Sequence, residues 1–271
     1  MIAAVVVYYN PEEGIYKKIK DVVNIVDKVY IIDNSSIDNS SLIDNSCNKI
    51  KYIPLMKNKG IAYALKLGAD LAINDKYDYL LTLDQDSVMT GECLSKLLSY
   101  VNKNDMSDVA IVAPEFNKAS TGIECVDMVI TSGNIINLSL YKKINGFNEN
   151  LFIDFVDFDL CYQFREKNYK IILMKEALLI HSLGENNKHR IFGKEFNNTN
   201  HSPLRKYYLY RNEYYCTHIS KERKKFFKKI HTRLYTIDLL KIILLEDKKI
   251  KKFKMIKKGI KDAKNHKLGG I

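Results

Sequence analysis

The sequence predicts an α/β fold with a largely parallel sheet. In the first part of the chain, short apolar runs rich in β-branched residues alternate with longer segments whose apolar residues recur at helical spacing. The chain has 271 residues, 46% of them apolar, so it can bury a sizeable core. Its 12 glycines and 4 prolines exclude collagenous and linker-rich proteins. In this fold class, ligands bind beyond the carboxyl ends of the strands.

The first four strands and the helices between them follow in order along the chain. We predict strands at Ile2–Tyr8, Lys28–Asp33, Lys51–Pro54 and Tyr79–Leu83. One helix is expected to begin at Asn10-Pro11, because proline suits a first helical turn, and another to cover Ile61–Ile73. Residues 34–46 are rich in Ser, Asn and Asp and predict a loop with a short helix.

The second part of the chain is more irregular. The alternation of predicted strands and helices weakens after about Val112. This indicates an α+β arrangement, with a strand at Val126–Ile130. Residues 184–202 are polar and predict a long loop, and the chain is expected to be helical from Pro203. We therefore predict a domain at 1–202, with halves 1–113 and 114–202, and a helical segment at 203–271.

Several protein classes are excluded by what the sequence lacks. The five cysteines are scattered without a CxxC pair, which argues against a disulfide framework or thiolate zinc site and fits a reducing compartment. The chain contains no phosphate-loop or GxGxxG motif, so P-loop NTPases and dinucleotide oxidoreductases are disfavoured. We expect no secretory leader and no membrane span, because the longest later apolar stretch, Leu234–Leu245, falls short of the roughly 20 residues a span needs.

The positive charge is concentrated near the end of the chain. The formal net charge is +11, but residues 221–267 hold 18 Lys or Arg against 5 Asp or Glu, and the remainder is close to neutral. This segment also carries an apolar stripe at helical spacing, made of Phe226, Phe227, Ile230, Leu234, Ile237 and Leu240. The combination favours a helix lying in the plane of a membrane surface, with no nucleic-acid partner. The alternative is a helix whose stripe packs on the body of the protein and whose lysines are solvated.

The segment LTLDQDS ends a predicted strand with two carboxylates. Side chains at i and i+2 of an extended chain lie on the same side, so Asp84 and Asp86 can face one ligand. Paired carboxylates at a strand end suit Mg²⁺ or Mn²⁺ bridged to a diphosphate. Acidic residues also flank ordinary turns, so the pair alone is a weak signal.

Two further motifs are expected at the same edge of the sheet. Asp33 ends the second strand, where it can accept a hydrogen bond from a base or ribose. Asn58 and Gly60 open a helix whose first N–H groups can face a phosphate. Taken singly, these residues are more often a turn aspartate and a helix cap. Together they predict one crevice.

The combination resembles the family 2 glycosyltransferases, in the segments VVVYYNP, IIDNSS, NKGIAYA and LTLDQDS. The resemblance implies a GT-A fold, with a Rossmann-like nucleotide-binding half and a mixed central sheet. It also implies that Tyr8 and Asn10 contribute to substrate binding, and it gives Asp84 contacts to ribose and metal.

The resemblance continues into the second part of the chain. Ser132 and Gly133, in TSGNIIN, match the acceptor-side segment of the family. The segment IDFVDFDLCYQFR is similar to its catalytic-base region and implies Asp157 as the general base, with Asp159 as its neighbour. Val156 stands where the family usually has Glu, and the arginine comes one residue late. By residue chemistry alone, these acids could simply begin a helix.

Two later motifs add candidate ligands. His181, in LIHSLGE, falls where many family members have a histidine near the metal or diphosphate. Arg205 and Arg211, with aromatic residues between them, could clamp a diphosphate or a lipid-linked acceptor. The alternative is an amphipathic helix that exposes both arginines.

Within the family, the chain most resembles bacterial rhamnosyltransferases, on the segments LDQDS and RKYYLYRN among others. This implies an inverting, metal-dependent enzyme at the cytoplasmic face of the membrane that passes rhamnose from dTDP-rhamnose to a lipid-linked glycan acceptor. A UDP-sugar is the alternative donor. A different class of function, a non-catalytic protein that binds membrane or nucleic acid, also stays open.

Overall fold

The computed structural model describes residues 1–44, 47–116, 120–181, 187–191, 194–198 and 200–271, with no account of the side chains of residues 181–199. The chain divides into two compact units. Unit 1 consists of residues 1–152, 156–182 and 270, and unit 2 of residues 153–155, 183–269 and 271. The boundary expected at residue 202 therefore falls inside unit 2.

Unit 1 is an α/β domain. Its strands are β1 (Ile2–Tyr8), β2 (Lys28–Asp33), β3 (Ile50–Pro54), β4 (Tyr79–Asp84), β5 (Ser87–Val88), β6 (Val109–Phe116), β7 (Ile123–Val126), β8 (Ile135–Asn137) and β9 (Lys170–His181). Its helices are α1 (Tyr16–Ile25), α2 (Ile61–Asn74), α3 (Gly91–Lys103), α4 (Leu138–Tyr141) and α5 (Val156–Glu166). Short 3₁₀ turns occur at Ser40–Leu42 and Glu149–Leu151.

The described strands of unit 1 form one mixed sheet in the order β3-β2-β1-β4-β8-β6-β9-β5, and β7 pairs with β9. The pairs among β3, β2, β1 and β4 are parallel, whereas β8 is antiparallel to both β4 and β6. β1 is buried along its whole length, as expected for a strand covered on both faces. The predicted Rossmann-like half and mixed sheet are confirmed.

Two elements of unit 1 differ from the prediction. Helix α1 begins at Tyr16 rather than at Asn10-Pro11, because Asn10 and Gly14 have φ angles of +46° and +79°, which a helix does not accommodate. Strand β7 ends at Val126, where the predicted strand was to begin. Its pairing with residues 171–174 of β9 decides this position, and that pairing is invisible to local sequence.

Unit 2 is mainly helical. It contains strands β10 (Asn187–Ile191) and β11 (Lys194–Asn198), followed by helices α6 (Pro203–His218), α7 (Lys221–Phe226), α8 (Lys228–Arg233), α9 (Leu239–Leu245) and α10 (Lys249–Lys264), with a π-helical turn at Leu234–Asp238 before α9. The two strands pair antiparallel, so the prediction of a loop was wrong for these residues. Helix α6 begins as expected, with Pro203 in its first turn and the Ser202 hydroxyl accepting from the Arg205 N–H.

Helices α6 and α10 pack directly against each other. An added Cβ at Gly259 of α10 would lie 2.5 Å from the carbonyl oxygen of Tyr207, so glycine permits this close approach. Beside this contact, Lys206 bonds to Asp238 at 2.7 Å and Lys252 bonds to Glu246 at 2.7 Å. The basic segment is therefore part of a folded unit.

No helix in the described ranges is both long and apolar enough to cross a bilayer.

Candidate active site

The carboxyl ends of three parallel strands bring the predicted residues of unit 1 to one edge of the sheet. Tyr8 at the end of β1 lies opposite Asp33 in β2, and Val7 lies opposite Asp84 in β4. Strand register thus brings the ends of these strands to one edge of the sheet.

Asp33 organises the loop that follows β2. Its side chain is fully buried. One carboxylate oxygen accepts from the Ser35 N–H at 3.0 Å, and the other accepts from the Asn39 amide and the Tyr52 hydroxyl, both at 2.7 Å. Burial raises the pKa of the Tyr52 hydroxyl, and the hydrogen bond to Asp33 raises it further, so this hydroxyl remains a donor. Asp33 therefore shapes the loop of residues 34–39.

A pair of asparagines connects β2 to the start of α2. The Asn34 amide donates to Asn58 Oδ1 at 3.0 Å, and the Lys59 N–H donates to Asn34 Oδ1 at 2.7 Å. Asn58 Oδ1 also accepts from the Gly60 N–H at 2.9 Å. Asn34 was not among the residues expected from the sequence, although it directly follows Asp33 in the motif IIDNSS.

Gly60 permits a close approach at the beginning of α2. Its φ angle is +88°, and an added Cβ would lie 2.6 Å from the carbonyl oxygen of Phe152. The Ala62 N–H donates to that same carbonyl at 3.2 Å. The first turn of α2 is therefore partly satisfied by the protein itself.

Asp84 and Asp86 flank a turn whose middle residue is anchored. Gln85 accepts from the Tyr9 N–H at 2.8 Å and donates to the Tyr9 carbonyl at 3.1 Å. Both aspartates are half-buried. Because Gln85 is held by the chain beyond β1, the carboxylates before and after it are held at the carboxyl edge of the sheet. This anchor is a second residue that sequence reasoning missed.

Ser132 and Gly133 support this turn from β8's side. The Ser132 hydroxyl accepts from the Asp84 N–H at 3.0 Å and donates to the Ser87 hydroxyl at 2.8 Å. The Gly133 N–H donates to the Thr82 carbonyl at 2.7 Å. Gly133 has a φ of +84°, and a Cβ there would lie 2.7 Å from Pro114. Both residues, expected on the acceptor side, fix the strand that carries Asp84.

Tyr8 and Asn10 lie at the end of β1 and just beyond it. The Tyr8 side chain is fully buried, and burial together with Tyr16 and Asp33 raises the pKa of its hydroxyl far above the usual range. Within the described residues this hydroxyl has no hydrogen-bond partner. Asn10 is exposed, and its N–H donates to the Ser35 hydroxyl at 2.7 Å. The loops after β1 and β2 are thus joined.

The residues present fit a divalent cation only in part. Asp84 and Asp86 are hard oxygen donors on one turn, of the type that Mg²⁺ and Mn²⁺ prefer. The described part of the chain contains no cluster of three or more acidic, His or Cys side chains that could hold a metal ion. His181 pairs through its backbone with Ser87, but its side chain lies outside the described residues. Two carboxylates leave positions for water and a diphosphate, which is a common arrangement for Mg²⁺.

Asp157 and Asp159 lie in the first turn of α5 and have different environments. Asp157 is half-buried and its carboxylate accepts from the Phe158 N–H at 2.9 Å. It also lines a small cavity together with Thr82, Thr131 and Asn134. Asp159 is buried and accepts from the Gln163 amide at 2.8 Å. Asp157 is therefore the more accessible carboxylate of the two.

The residues before α5 have an unusual backbone. Phe152, Asp154 and Phe155 all have φ angles between +63° and +67°, which is rare for residues with a side chain. Within unit 2, Arg205 forms a bidentate pair with Asp154 at 3.0–3.2 Å, and the Asn212 amide donates to the carbonyls of Ile153 and Asp154. Helix α6 thus holds residues 153–155, which sequence reasoning did not anticipate.

Arg211 differs from both interpretations of its motif. Its side chain is fully buried, and its guanidinium lies 5.5 and 4.9 Å from the ring centres of Tyr207 and Tyr208. It donates to Asn212 Oδ1 at 2.9 Å. Arg205, in contrast, is 46% exposed. The two arginines of the motif therefore do not share an environment.

Residues 3–172 match the family model described as glycosyl transferase family 2. The chain belongs to this family. It is accordingly a glycosyltransferase. Over 244 residues it is 26% identical to the dTDP-rhamnosyl transferase RfbF of Shigella flexneri, covering 79% of this chain and 78% of the relative. The expected likeness to rhamnosyltransferases is confirmed.

Solved structures confirm the GT-A fold of this family 2 glycosyltransferase. Residues 1–349 of S. aureus TarS superpose with a TM-score of 0.62 at 13% identity, covering 97% of this chain and 80% of that one. A structure of GalNAc-T7 with UDP, GalNAc and Mn²⁺ superposes with a TM-score of 0.60 at 13% identity, covering 86% of this chain and 57% of that one. At such identities the likeness concerns the fold.

Proposed function

We propose that this glycosyltransferase passes rhamnose from dTDP-rhamnose to a hydroxyl of a lipid-linked glycan, with inversion at the transferred carbon. The observation that carries the donor assignment is the similarity to a dTDP-rhamnosyl transferase along 79% of the chain. The aligned carboxyl ends of β1, β2 and β4 support a nucleotide site at that edge, since ligands of doubly wound sheets bind there.

The nucleotide is held by the loops after β1 and β2 in this proposal. Asp33 fixes the loop that would face the base or ribose, and Tyr8 supplies a buried hydroxyl at the same strand end. Asn10 is tied to that loop through Ser35. Asn58 and Gly60 position the start of α2, where the positive end of the helix dipole favours a phosphate.

Asp84 and Asp86 would hold Mg²⁺ or Mn²⁺, with His181 as a further candidate ligand. When bound, the cation neutralises the charge that develops on the departing diphosphate. The turn is held on both sides, by Gln85 against Tyr9 and by Ser132 against the Asp84 N–H, so its carboxylates need little reorganisation.

Asp157 takes the proton of the acceptor hydroxyl. As that oxygen attacks the anomeric carbon, the bond to the dTDP oxygen breaks, and the diphosphate leaves with the electron pair. One displacement inverts the configuration. Asp159 is held by Gln163 and acts as the supporting neighbour of Asp157. Ser132 and Gly133 belong to the acceptor-side segment and act by fixing β4.

A lipid-linked acceptor agrees with a location at the cytoplasmic face of the membrane, to which the basic helices of unit 2 would bind. Arg205 is the exposed arginine that can meet a diphosphate of this acceptor. Arg211 is assigned a supporting role, because its guanidinium is enclosed by α6 and residue 269.

The deciding experiment is competitive turnover of dTDP-rhamnose, UDP-glucose and UDP-galactose with a lipid-diphosphate glycan acceptor, in the presence of Mg²⁺ or Mn²⁺. We expect rhamnose transfer to dominate. The nucleotide preference should be modest, because one methyl group changes the free energy by only about 1 to 3 kcal/mol. Faster transfer from either UDP-sugar would overturn the donor assignment and leave the glycosyltransferase activity in place.

A further inference from the structure

Unit 2 exposes an apolar ridge on the helical stretch that ends with α9. The ridge consists of Ile237, Leu240, Ile243 and Leu244. Leu240 is 56% exposed and Leu244 is 61% exposed, whereas Ile242 on the other side of the helix is fully buried. Within α9, Leu240, Ile243 and Leu244 are separated by three and four positions and therefore share one helix face. Ile237 precedes them in the π-helical turn and extends the exposed strip. We call this strip the α9 ridge.

The α9 ridge is not the stripe expected from the sequence. Phe227 and Leu234, two members of that stripe, are buried inside unit 2, where the ring of Phe227 contacts Phe155. Only its last members, Ile237 and Leu240, are exposed. The packed interpretation thus holds for Phe227 and Leu234, whereas Ile237 and Leu240 are exposed.

Basic side chains follow the ridge directly. Lys248, Lys249 and Lys251 are exposed at the beginning of α10, and Ile250 among them is 75% exposed. The Lys249 ammonium donates to the carbonyl of Ile243 at 2.6 Å, which brings this basic turn against α9.

Nearby acidic groups are already engaged by partners within unit 2. Glu246 is buried and paired with Lys252, Asp238 is paired with Lys206, and Asp247 bonds to Asn200. Asp247 keeps its negative charge, because Asn200 is neutral, but the exposed Lys248, Lys249 and Lys251 outnumber it. The net charge beside the ridge is therefore positive.

We infer that the α9 ridge and the basic turn at residues 248–251 form a docking surface for an anionic lipid bilayer. Exposed aliphatic side chains with adjacent lysines suit insertion into the interfacial region while the ammonium groups meet anionic headgroups. This inference rests on the proposed membrane location and deepens it by naming the surface.

Two other partners fit the surface less well. Single-stranded nucleic acid is bound by aromatic side chains that stack on bases, and the α9 ridge is aliphatic. A second copy of the chain in a two-fold arrangement would bring the same lysines toward each other, since such an interface is self-complementary.

The test is sedimentation of the full chain with vesicles of phosphatidylcholine alone and of an equimolar mixture of phosphatidylcholine and phosphatidylglycerol. We expect binding to the mixed vesicles only. Leu244→Ser should reduce that binding about tenfold, because serine lacks the apolar transfer free energy that the leucine side chain gains when it inserts into the bilayer. The control is Ile123→Ser, because Ile123 is 59% exposed on β7 of unit 1 and closely matches Leu244 in exposure. It should bind like the parent.

The inference would be overturned by equal sedimentation with both vesicle types, by equal binding of Leu244→Ser and the parent, or by a dimer in solution that Leu244→Ser dissociates. Tight binding of single-stranded RNA with loss in Leu244→Ser would assign the surface to nucleic acid instead. Rhamnosyl transfer to a soluble acceptor analogue reports separately on the proposed function. Normal transfer without vesicle binding would reject the docking surface alone, and vesicle binding without transfer would reject the proposed reaction alone.

Discussion

The guanidinium of Arg211 donates a hydrogen bond to the backbone carbonyl of Gly269 at 2.5 Å. This bond joins α6 to residues beyond α10, and the rings of Tyr207 and Tyr208 lie close to the charge. Arg211, for which the sequence suggested a role in substrate binding, thus connects two segments of unit 2.

Arg211→Met should destabilise the protein by about 1.5–3 kcal/mol, because the charge-assisted hydrogen bond to the Gly269 carbonyl is lost. Urea unfolding measures this change. Arg233→Met, at an exposed position, should have little effect. Unchanged unfolding of Arg211→Met together with loss of donor binding would return Arg211 to the substrate site.

Asp157→Asn should keep the donor affinity and lose roughly 10² to 10⁴-fold in turnover, because the amide cannot accept the acceptor proton. Donor affinity is measured by calorimetry and turnover with saturating acceptor. Asp127→Asn is the matched control, since Asp127 is exposed and pairs with Arg165 on the surface. Transfer near the parent rate would show that another group is the base.

Asp86→Ala should weaken donor binding at least about tenfold, equivalent to about 1.4 kcal/mol, and should abolish stimulation by Mg²⁺ or Mn²⁺. One remaining carboxylate on the turn holds a hard cation poorly. The control is Asp78→Ala. Asp78 directly precedes β4, at the end of the strand opposite to Asp84. In the described part of the chain, its ion pair is with the exposed amino group of Met1. Unaltered metal dependence of Asp86→Ala in calorimetric titration would contradict this assignment.

Gly60→Ala should destabilise the protein more than Gly14→Ala does. Both glycines have positive φ angles, +79° at Gly14 and +88° at Gly60, at which an added side chain is strained. The space around Gly14 is open, whereas a Cβ at Gly60 would collide with the backbone of Phe152. Thermal unfolding of both variants measures the loss of stability, and the excess loss in Gly60→Ala reports the collision with Phe152. Donor titration of both variants shows whether nucleotide binding is also affected. Equal losses in the two variants would show that Phe152 yields without cost.

The stability of unit 2 should rise with pH in mildly acidic solution because of His201. Burial lowers the pKa of His201, Arg205 and Lys206 lower it further, and Asp154 and Glu246 oppose this effect. Between the lowered pKa and the ordinary value near 6.5, the unfolded chain binds more protons, so stability is lost as the pH falls. Urea unfolding at about pH 5 and about pH 8 measures the difference.

His201→Asn should reduce that pH dependence, and His266→Asn, at an exposed position, should preserve it. A parent protein whose unfolding is equally sensitive to urea at both pH values would contradict the assignment.

Local sequence was sufficient for the parallel half of the sheet and for the residues at its carboxyl edge. Continuous β-branched runs specify buried strands, and polar residues that end those runs must emerge at one edge once the strands are parallel. For this reason Asp33, Asn58, Asp84 and Asp86 are recognisable as candidates from their positions in the sequence. What joins them depends on side chains far apart in the chain, such as Asn34 with Asn58 and Gln85 with Tyr9.

Burial in unit 2 was decided only by tertiary structure. Helical periodicity identifies a set of apolar and basic residues, but it does not say which member meets another helix. Phe227 is enclosed, with its ring against Phe155, whereas Leu244 of the same segment is exposed. In the same way, Arg211 is buried and Arg205 is exposed, although both lie on α6. Residues 207–208 and 269 surround Arg211 and leave Arg205 exposed. The sequence thus determined the chemistry available at each position, and packing between distant segments determined which groups solvent and ligands can reach.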